Sequence, residues 1–123
     1  MTRTATCYVK LCRGGTGGNF DVVYTSADVM ALGAIQALEA AGIAVGGEGG
    51  VIVTGMDGNK AAIQSILEGK LAMSVETNPR FGPLLFDTIE KWLACEAIPP
   101  FVEVQDRVFD ASNSTEQTLA EAF

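Results

Sequence analysis

A chain of 123 residues, 48% apolar and 19% charged, has the composition of one globular domain and is too apolar for a disordered tail. Eight Lys plus Arg against fifteen Asp plus Glu leave a net charge of −7, which argues against nucleic acid or an anionic membrane as partner, since both need a basic face. The chain has no His, so Ser-His-Asp and Cys-His nucleophiles, His-containing zinc sites and the commonest general acid/base are all excluded, and an enzyme is not expected.

The opening residues, Met1-Thr-Arg-Thr-Ala-Thr-Cys-Tyr-Val-Lys-Leu-Cys12, carry an apolar stretch that is short and broken by Lys10, which does not read as a signal peptide. The chain contains no run of the roughly eighteen apolar residues that a membrane span needs, so no membrane insertion is expected. Thr4 to Leu11 has strand composition, but Arg13-Gly-Gly-Thr-Gly-Gly18 leads into another strand with no helix between. A phosphate-cradling loop has to open a helix, and this spacing matches neither the dinucleotide fingerprint nor the Walker pattern. Residues 1–19 are therefore expected to be an atypical strand and a Gly-rich connector ahead of an α/β domain at 20–123, and no cofactor is implied. Cys7, Cys12 and Cys95 are odd in number and too few for a zinc site, so buried or idle thiols are expected.

From Phe20 the chain alternates two periods. Phe20-Asp-Val-Val-Tyr-Thr25 is short, β-branched and aromatic, as a buried strand is. Ser26-Ala-Asp28 offers capping side chains to a helix whose apolar stripe runs from Val29 to Ala41 and stops at Gly42. Val51 to Met56 is the next strand, and Asn59 caps a second helix that carries Ala62, Ile63, Ile66 and Leu67 and closes at Gly69. Leu71 to Val75 is a third strand. Asn78-Pro79 predicts the start of a helix that reaches Ala97, with Phe81, Leu84, Leu85, Ile89, Trp92 and Leu93 on one side and Pro99-Pro100 beyond its end. Val102 to Val108 alternates like a half-exposed strand, and Ser112 to Gln117 predicts the opening of a short terminal helix that runs to Phe123.

This rhythm predicts an α/β fold: a three-layer parallel sheet with right-handed crossovers and helices on its faces. In such sheets ligands bind beyond the carboxyl ends of the strands. The positions to watch are Ser26, Ala27 and Asp28 after the first strand, Met56, Asp57 and Gly58 after the second, and Glu76, Thr77 and Asn78 after the third.

From Phe20 to about Asp110 the chain resembles the C-terminal part of the periplasmic sugar-binding proteins of ABC importers, the ribose-binding type. Asp28-Val-Met-Ala-Leu-Gly-Ala34 is similar to the family's Asn-Asp-x-Met-Ala-Leu-Gly-Ala segment, and Val53-Thr-Gly-Met-Asp-Gly58 to Val-Val-Gly-Phe-Asp-Gly. Glu68-Gly-Lys-Leu-Ala-Met-Ser-Val-Glu-Thr-Asn-Pro79 is similar to a Gly-x-Leu-x-Ala-x-Val-x-Gln-x-Pro segment. Related repressors read Pro-x-Leu-Thr-Thr where this chain has Gly69 to Met73, which favours the importer branch.

The resemblance implies part of a clamp: two α/β lobes close on a monosaccharide and deliver it to an ABC permease. This chain matches the later elements of the C-terminal lobe. The helix after Pro79 resembles the one that crosses to the other lobe, and the front lobe is missing from the match. Asp57 matches the Asp that accepts hydrogen bonds from sugar hydroxyls. Met56 stands where the family often has Phe, Ala27 where it often has Asn, and Thr77 where it has Gln. Asp28 also matches a family residue, but a helix cap is the expected role. The resemblance places the protein in the periplasm, whereas the unconvincing signal peptide points to the cytoplasm for the chain as given.

Trp92 is expected to pack rather than to serve as a sugar platform, and Asp106 and Asp110 to be solvated rather than to form a carboxylate site. Two functional readings follow. One is a sugar-binding module of an importer, present as a C-terminal fragment. The other is a truncated, self-associating homodimer without sugar binding, because the stripe after Pro79 exceeds what a soluble monomer exposes. A hydrolase or transferase is disfavoured, because Ser26, Thr77 and the cysteines have no His to activate them and only Lys60 or Asp57 could be imagined as the base.

Overall fold

The computed structural model describes residues 20–123; the expected strand at Thr4–Leu11, the Gly-rich connector, Cys7 and Cys12 lie outside them. The described elements are β1 (Val22–Tyr24), α1 (Asp28–Ala40), β2 (Ile52–Asp57), α2 (Lys60–Leu67), β3 (Met73–Glu76), α3 (Gly82–Leu93), β4 (Val108–Asp110) and α4 (Glu116–Glu121).

Local chemistry sets most of these boundaries. The Asn59 side chain accepts a hydrogen bond from the Ala62 N–H at 2.9 Å, which caps α2. Both α1 and α2 end on a left-handed glycine, Gly42 (φ 75°) and Gly69 (φ 72°). Beyond them the Ile43 N–H donates to the Leu38 carbonyl and the Lys70 N–H to the Ser65 carbonyl, each at 3.0 Å, the closure that a left-handed residue at this position permits. Thr115 and Thr118 form a capping box on α4, so that helix starts at Glu116, inside the expected capping segment.

The four strands lie in the order β1-β2-β3-β4. β1–β2 and β2–β3 pair in parallel, but β3–β4 is antiparallel, which corrects the all-parallel expectation. The reason lies in the route between them. The chain leaves the carboxyl end of β3 into α3 and returns to that same end, where the Glu76 N–H donates to the Arg107 carbonyl at 2.7 Å. A strand that begins there has to run back down the sheet. Of the strand expected at Val102–Val108, only Val108 belongs to a strand, β4; the residues before it are irregular return chain.

The core lies between the sheet and the helices on one of its faces. Val53 and Phe109 pack there against Ile35, Leu38, Ile63 and Ile66, with Val23 and Leu119 partly buried at the margin. Sequential strand order with right-handed crossovers puts both connecting helices on one side. The other set of strand side chains faces away from them: Val22, Tyr24, Ile52 and Val108 are exposed and Thr54, Met56, Met73 and Val75 half-buried. Among the described residues the α/β fold with flanking helices stands as expected, with α1 and α2 packed on the core face.

The helix expected from Pro79 to Ala97 is shorter. Asn78 Oδ1 accepts from the Arg80 N–H at 2.9 Å in a local turn, and α3 begins only at Gly82, with Pro83 in its first turn. No α3 residue is buried, and Trp92, expected to pack, is 65% exposed. Cys95, just past the helix, is exposed with φ 58°. Asp106 and Asp110 stay apart: Asp106 accepts from the Asn78 N–H at 2.9 Å, and Asp110 from the Ser112 N–H and hydroxyl at 2.8 and 2.6 Å. That local bonding by Ser112 holds the Asp110 carboxyl below the usual range.

Candidate functional site

Parallel pairing brings the ends of β1, β2 and β3 to one edge of the sheet, where α1 and α2 begin. The floor of this edge is a buried polar network. Asp28 is fully buried; its Oδ1 accepts from the Ser74 hydroxyl at 2.7 Å and its Oδ2 from the Asn59 N–H at 2.9 Å. The Ser74 oxygen in turn accepts from the Gly58 N–H at 3.1 Å. One carboxylate thus joins the start of α1, the middle of β3 and the start of α2. Burial raises the Asp28 pKa above its ordinary value, against the hydrogen bonds from Ser74, Asn59 and Gly58, which lower it.

This arrangement revises the cap expected of Asp28. The N-cap position of α1 is Ala27, with no side-chain cap bond, and Asp28 is the first helical residue. Its carboxylate points under the strand ends, and a Cβ at Gly55 would collide with Oδ1, so that glycine admits the close approach of α1 to β2. Asp28 is spent on the fold and has no surface from which to reach a ligand.

Asp57 is different. It is the last residue of β2, half-buried, and it holds φ 127°, a region that side-chain-bearing residues rarely adopt. Its carbonyl accepts from the Thr77 N–H at 3.0 Å, which ties the chain just past β3 to the end of β2. The Asp57 carboxylate makes no hydrogen bond to any described residue. Gly58 follows with φ 76°, and a Cβ there would press on the Phe109 ring and on Glu76. Thr77 is exposed, while Met56 and Ala27 are half-buried. The structure therefore gathers Ala27, Met56, Asp57 and Thr77 at the strand ends, above the buried Asp28.

Sequence reasoning placed Glu76 at this edge but missed Arg107 as its partner. Glu76 is 2% exposed and forked by Arg107: Nε donates to Oε2 at 2.9 Å and Nη2 to Oε1 at 2.8 Å, while the Arg107 N–H donates to Oε2 at 3.2 Å. The guanidinium hydrogen bonds hold the Glu76 carboxyl below its ordinary range. Arg107 also lies 4.9 Å from the centroid of Phe109. Ser74 was missed too, yet a lone hydroxyl in the apolar run Leu71–Val75 was the available signal, since a buried hydroxyl requires a partner. Among the described residues, no three Cys, Asp or Glu side chains gather as a metal site would require.

Comparison with known proteins places these strand ends in context. Residues 12–81 match the family described as periplasmic binding protein domain. The fructose import binding protein FruE of Bifidobacterium longum is 32% identical over 98 residues, 80% of this chain and 29% of FruE. The galactofuranose-binding protein YtfQ of Escherichia coli is 36% identical over 77 residues, 62% of this chain and 23% of YtfQ. Both are binding proteins rather than enzymes. A Mycobacterium smegmatis structure in complex with β-D-fucofuranose superposes with a TM-score of 0.77 at 31% identity, over 95% of this chain and 36% of that one. A galactofuranose-binding protein shares the fold at a TM-score of 0.81 and 22% identity, over 97% of this chain and 40% of that one. The chain thus spans less than a third of either sequence relative, 29% and 23%. With a family match across more than half its residues and a shared fold, the chain belongs to the periplasmic binding protein domain family.

Proposed function

We propose that Ala27, Met56, Asp57 and Thr77 form one wall of a sugar-binding cleft in the binding component of an ABC importer, working in the periplasm and handing a monosaccharide to a permease. The observation that carries this reading is Asp57: a carboxylate at a strand end, unpaired among the described residues, on a backbone held at φ 127°. Unusual backbone of this kind persists where the surroundings over-determine it, and such positions cluster at ligand sites. Ionised, the carboxylate accepts hydrogen bonds from two adjacent sugar hydroxyls. The Thr77 hydroxyl adds a donor or acceptor beside it, and Met56 offers a thioether to the sugar's apolar face. Asp28 serves this wall from beneath by fixing the strand ends. Furanose-form sugars come first in order of trial, because YtfQ is named for galactofuranose and the Mycobacterium smegmatis relative was solved with a fucofuranose.

The test is a thermal-shift titration against furanose-forming and pyranose-only sugars at millimolar concentration. A ligand at a hundred times its Kd adds about 2.7 kcal/mol, a shift of several degrees for a domain of this size. A shift with one sugar, abolished in Asp57→Ala, supports the reading. No shift with any sugar favours a second one, a self-associating α/β unit that binds none. That alternative draws on α3, whose Leu84, Leu85, Ile89, Trp92 and Leu93 are all exposed, and on the apolar groove that Phe81, Leu84 and Leu85 form with Val102 and Val104.

A further inference from the structure

The peptide between Asp57 and Gly58 is tied to β3 and the residue after it by both of its polar groups. Its carbonyl accepts from the Thr77 N–H at 3.0 Å, and its N–H donates to the Ser74 hydroxyl at 3.1 Å. On its other side Asp57 is still in the β2–β3 ladder, opposite Glu76, so the sheet sets the backbone that leads into it. A residue held between two fixed peptide planes has its two rotations decided for it, and with them the direction of its side chain. At Asp57 the outcome is φ 127°.

The bond to Ser74 has a direction. Ser74 is fully buried and has one hydroxyl proton to give. The Asp28 carboxylate accepts at both oxygens, from Ser74 at Oδ1 and from the Asn59 N–H at Oδ2. The Ser74 proton is therefore spent on Asp28, and its lone pairs are left to the Gly58 N–H. Gly58, at φ 76°, comes so close to Glu76 and the Phe109 ring that a Cβ would not fit, and this approach lets its N–H reach the buried hydroxyl.

We propose that Ser74 is a positioning residue for Asp57: its hydroxyl, oriented by Asp28, holds the 57–58 peptide and so aims the Asp57 carboxylate at the ligand. Ser74 has no exposed surface and touches no ligand itself. Because the same peptide also bonds the Thr77 N–H, two of the four wall residues depend on this one hydroxyl. Without it the Gly58 N–H loses its acceptor, and Asp57 relaxes toward ordinary extended backbone with its carboxylate turned away. A serine kept only to satisfy Asp28 would leave the geometry at residue 57 unchanged. The aim at a sugar rests on the cleft reading above; the hold on the backbone does not.

The experiment is NMR of the isotope-labelled chain without sugar, reading the three-bond HN–Hα coupling of Asp57 and the hydrogen exchange of the Gly58 amide. That coupling is small at φ 127° and large in extended backbone. Expected are a small coupling in the parent and a large one in Ser74→Ala, with Gly58 exchange rising at least about tenfold more than that of the α2 amides. Ser74→Cys, which keeps the bulk but accepts only weakly, is the second variant and should move both readings the same way by less. Ile63→Val, a core change outside this chain of bonds, should move neither. With a sugar that shifts the parent, Ser74→Ala should raise Kd at least about tenfold and Ile63→Val should leave it unchanged. A large coupling in the parent, or a small one with a protected Gly58 amide in Ser74→Ala, overturns the proposal. So does an equal change in Ile63→Val, which reports general loosening, and so does a changed coupling with unchanged sugar affinity. If no sugar shifts the parent, the sugar wall fails, and the coupling still decides whether Ser74 holds Asp57.

Discussion

Helices α1 and α2 turn Ala31, Ile35, Leu38, Ile63 and Ile66 to the sheet and bury them, whereas α3 sets Leu84, Leu85, Ile89, Trp92 and Leu93 at similar spacing and buries none. All three helices have an apolar stripe, so the stripe by itself does not decide burial. The difference lies in the connections. The first two helices leave the sheet and come back to its opposite end, which lays them across it. The third leaves and re-enters at one end, so its path never crosses the sheet. An amphipathic pattern states that a face should be covered; chain routing states whether the covering comes from the same domain.

That contrast breaks most sharply with one chemical change made twice. Leu38→Ala removes a side chain that is 1% exposed and should cost about 3 kcal/mol in urea unfolding, through lost transfer energy and the cavity left behind. Leu85→Ala, at 47% exposure, should stay within about 0.5 kcal/mol in a monomeric sample. A cost at Leu85 approaching that at Leu38 means that α3 is covered in solution.

The next effect lies where the two regions join. Arg107 forks Glu76 at the root of the return chain, and Arg107→Leu leaves the carboxylate buried without its cation. Removing one partner of a buried pair costs about 3–5 kcal/mol, but Arg107 is itself half exposed and screened, so a loss of about 2 kcal/mol is expected. Hydrogen exchange locates the damage: amides of β4 should lose protection first, with those of α2 least affected. A loss spread evenly over the domain contradicts a role for the pair at this joint.

What was legible from the sequence divides along the same line. Asn59, Gly42 and Gly69 mark the helix ends by local chemistry, so those boundaries were readable without the fold. The gathering of Ala27, Met56, Asp57 and Thr77 followed from parallel strand order alone. Features set by distant partners were not readable. Asn78-Pro79 has the composition of a helix start, but Asn78 is bonded to Asp106 and Gln105 on the return chain, and the turn it forms postpones the helix to Gly82. The direction of β4 likewise depends on where the return chain arrives. Asp28 was read as a local cap because Ser74, 46 residues on, is invisible to local reasoning.

Acid titration sharpens the comparison at the level of two buried carboxylates of opposite behaviour. The folded pKa of Glu76 lies below its ordinary 4.5, so its contribution is present above that value and is lost as pH falls through the lowered folded pKa. Asp28 has a raised pKa; the folded state takes up its proton first, and its contribution improves as pH falls. Glu76→Gln should therefore lose less stability between pH 6 and pH 3 than the parent in urea melts at each pH. Parallel curves for the two proteins contradict the pairing of Glu76 with Arg107.

The smallest effect bears on the site itself. Asp57 holds φ 127° at the end of β2, a conformation that costs a side-chain-bearing residue about 1–3 kcal/mol and glycine almost nothing. Glycine returns part of that gain because it has more freedom to lose on folding, by about 0.5–1 kcal/mol. Asp57→Gly should therefore raise stability by about 0.5–1 kcal/mol while keeping the Thr77 N–H bonded to the carbonyl of residue 57. The same variant should show no thermal shift with a sugar that shifts the parent. Gain of stability with loss of binding is the signature of a residue kept for its ligand. If Asp57→Gly instead destabilises the chain by 1 kcal/mol or more, the carboxylate is holding the strand end, and the sugar wall must be sought around Thr77 and Met56 alone.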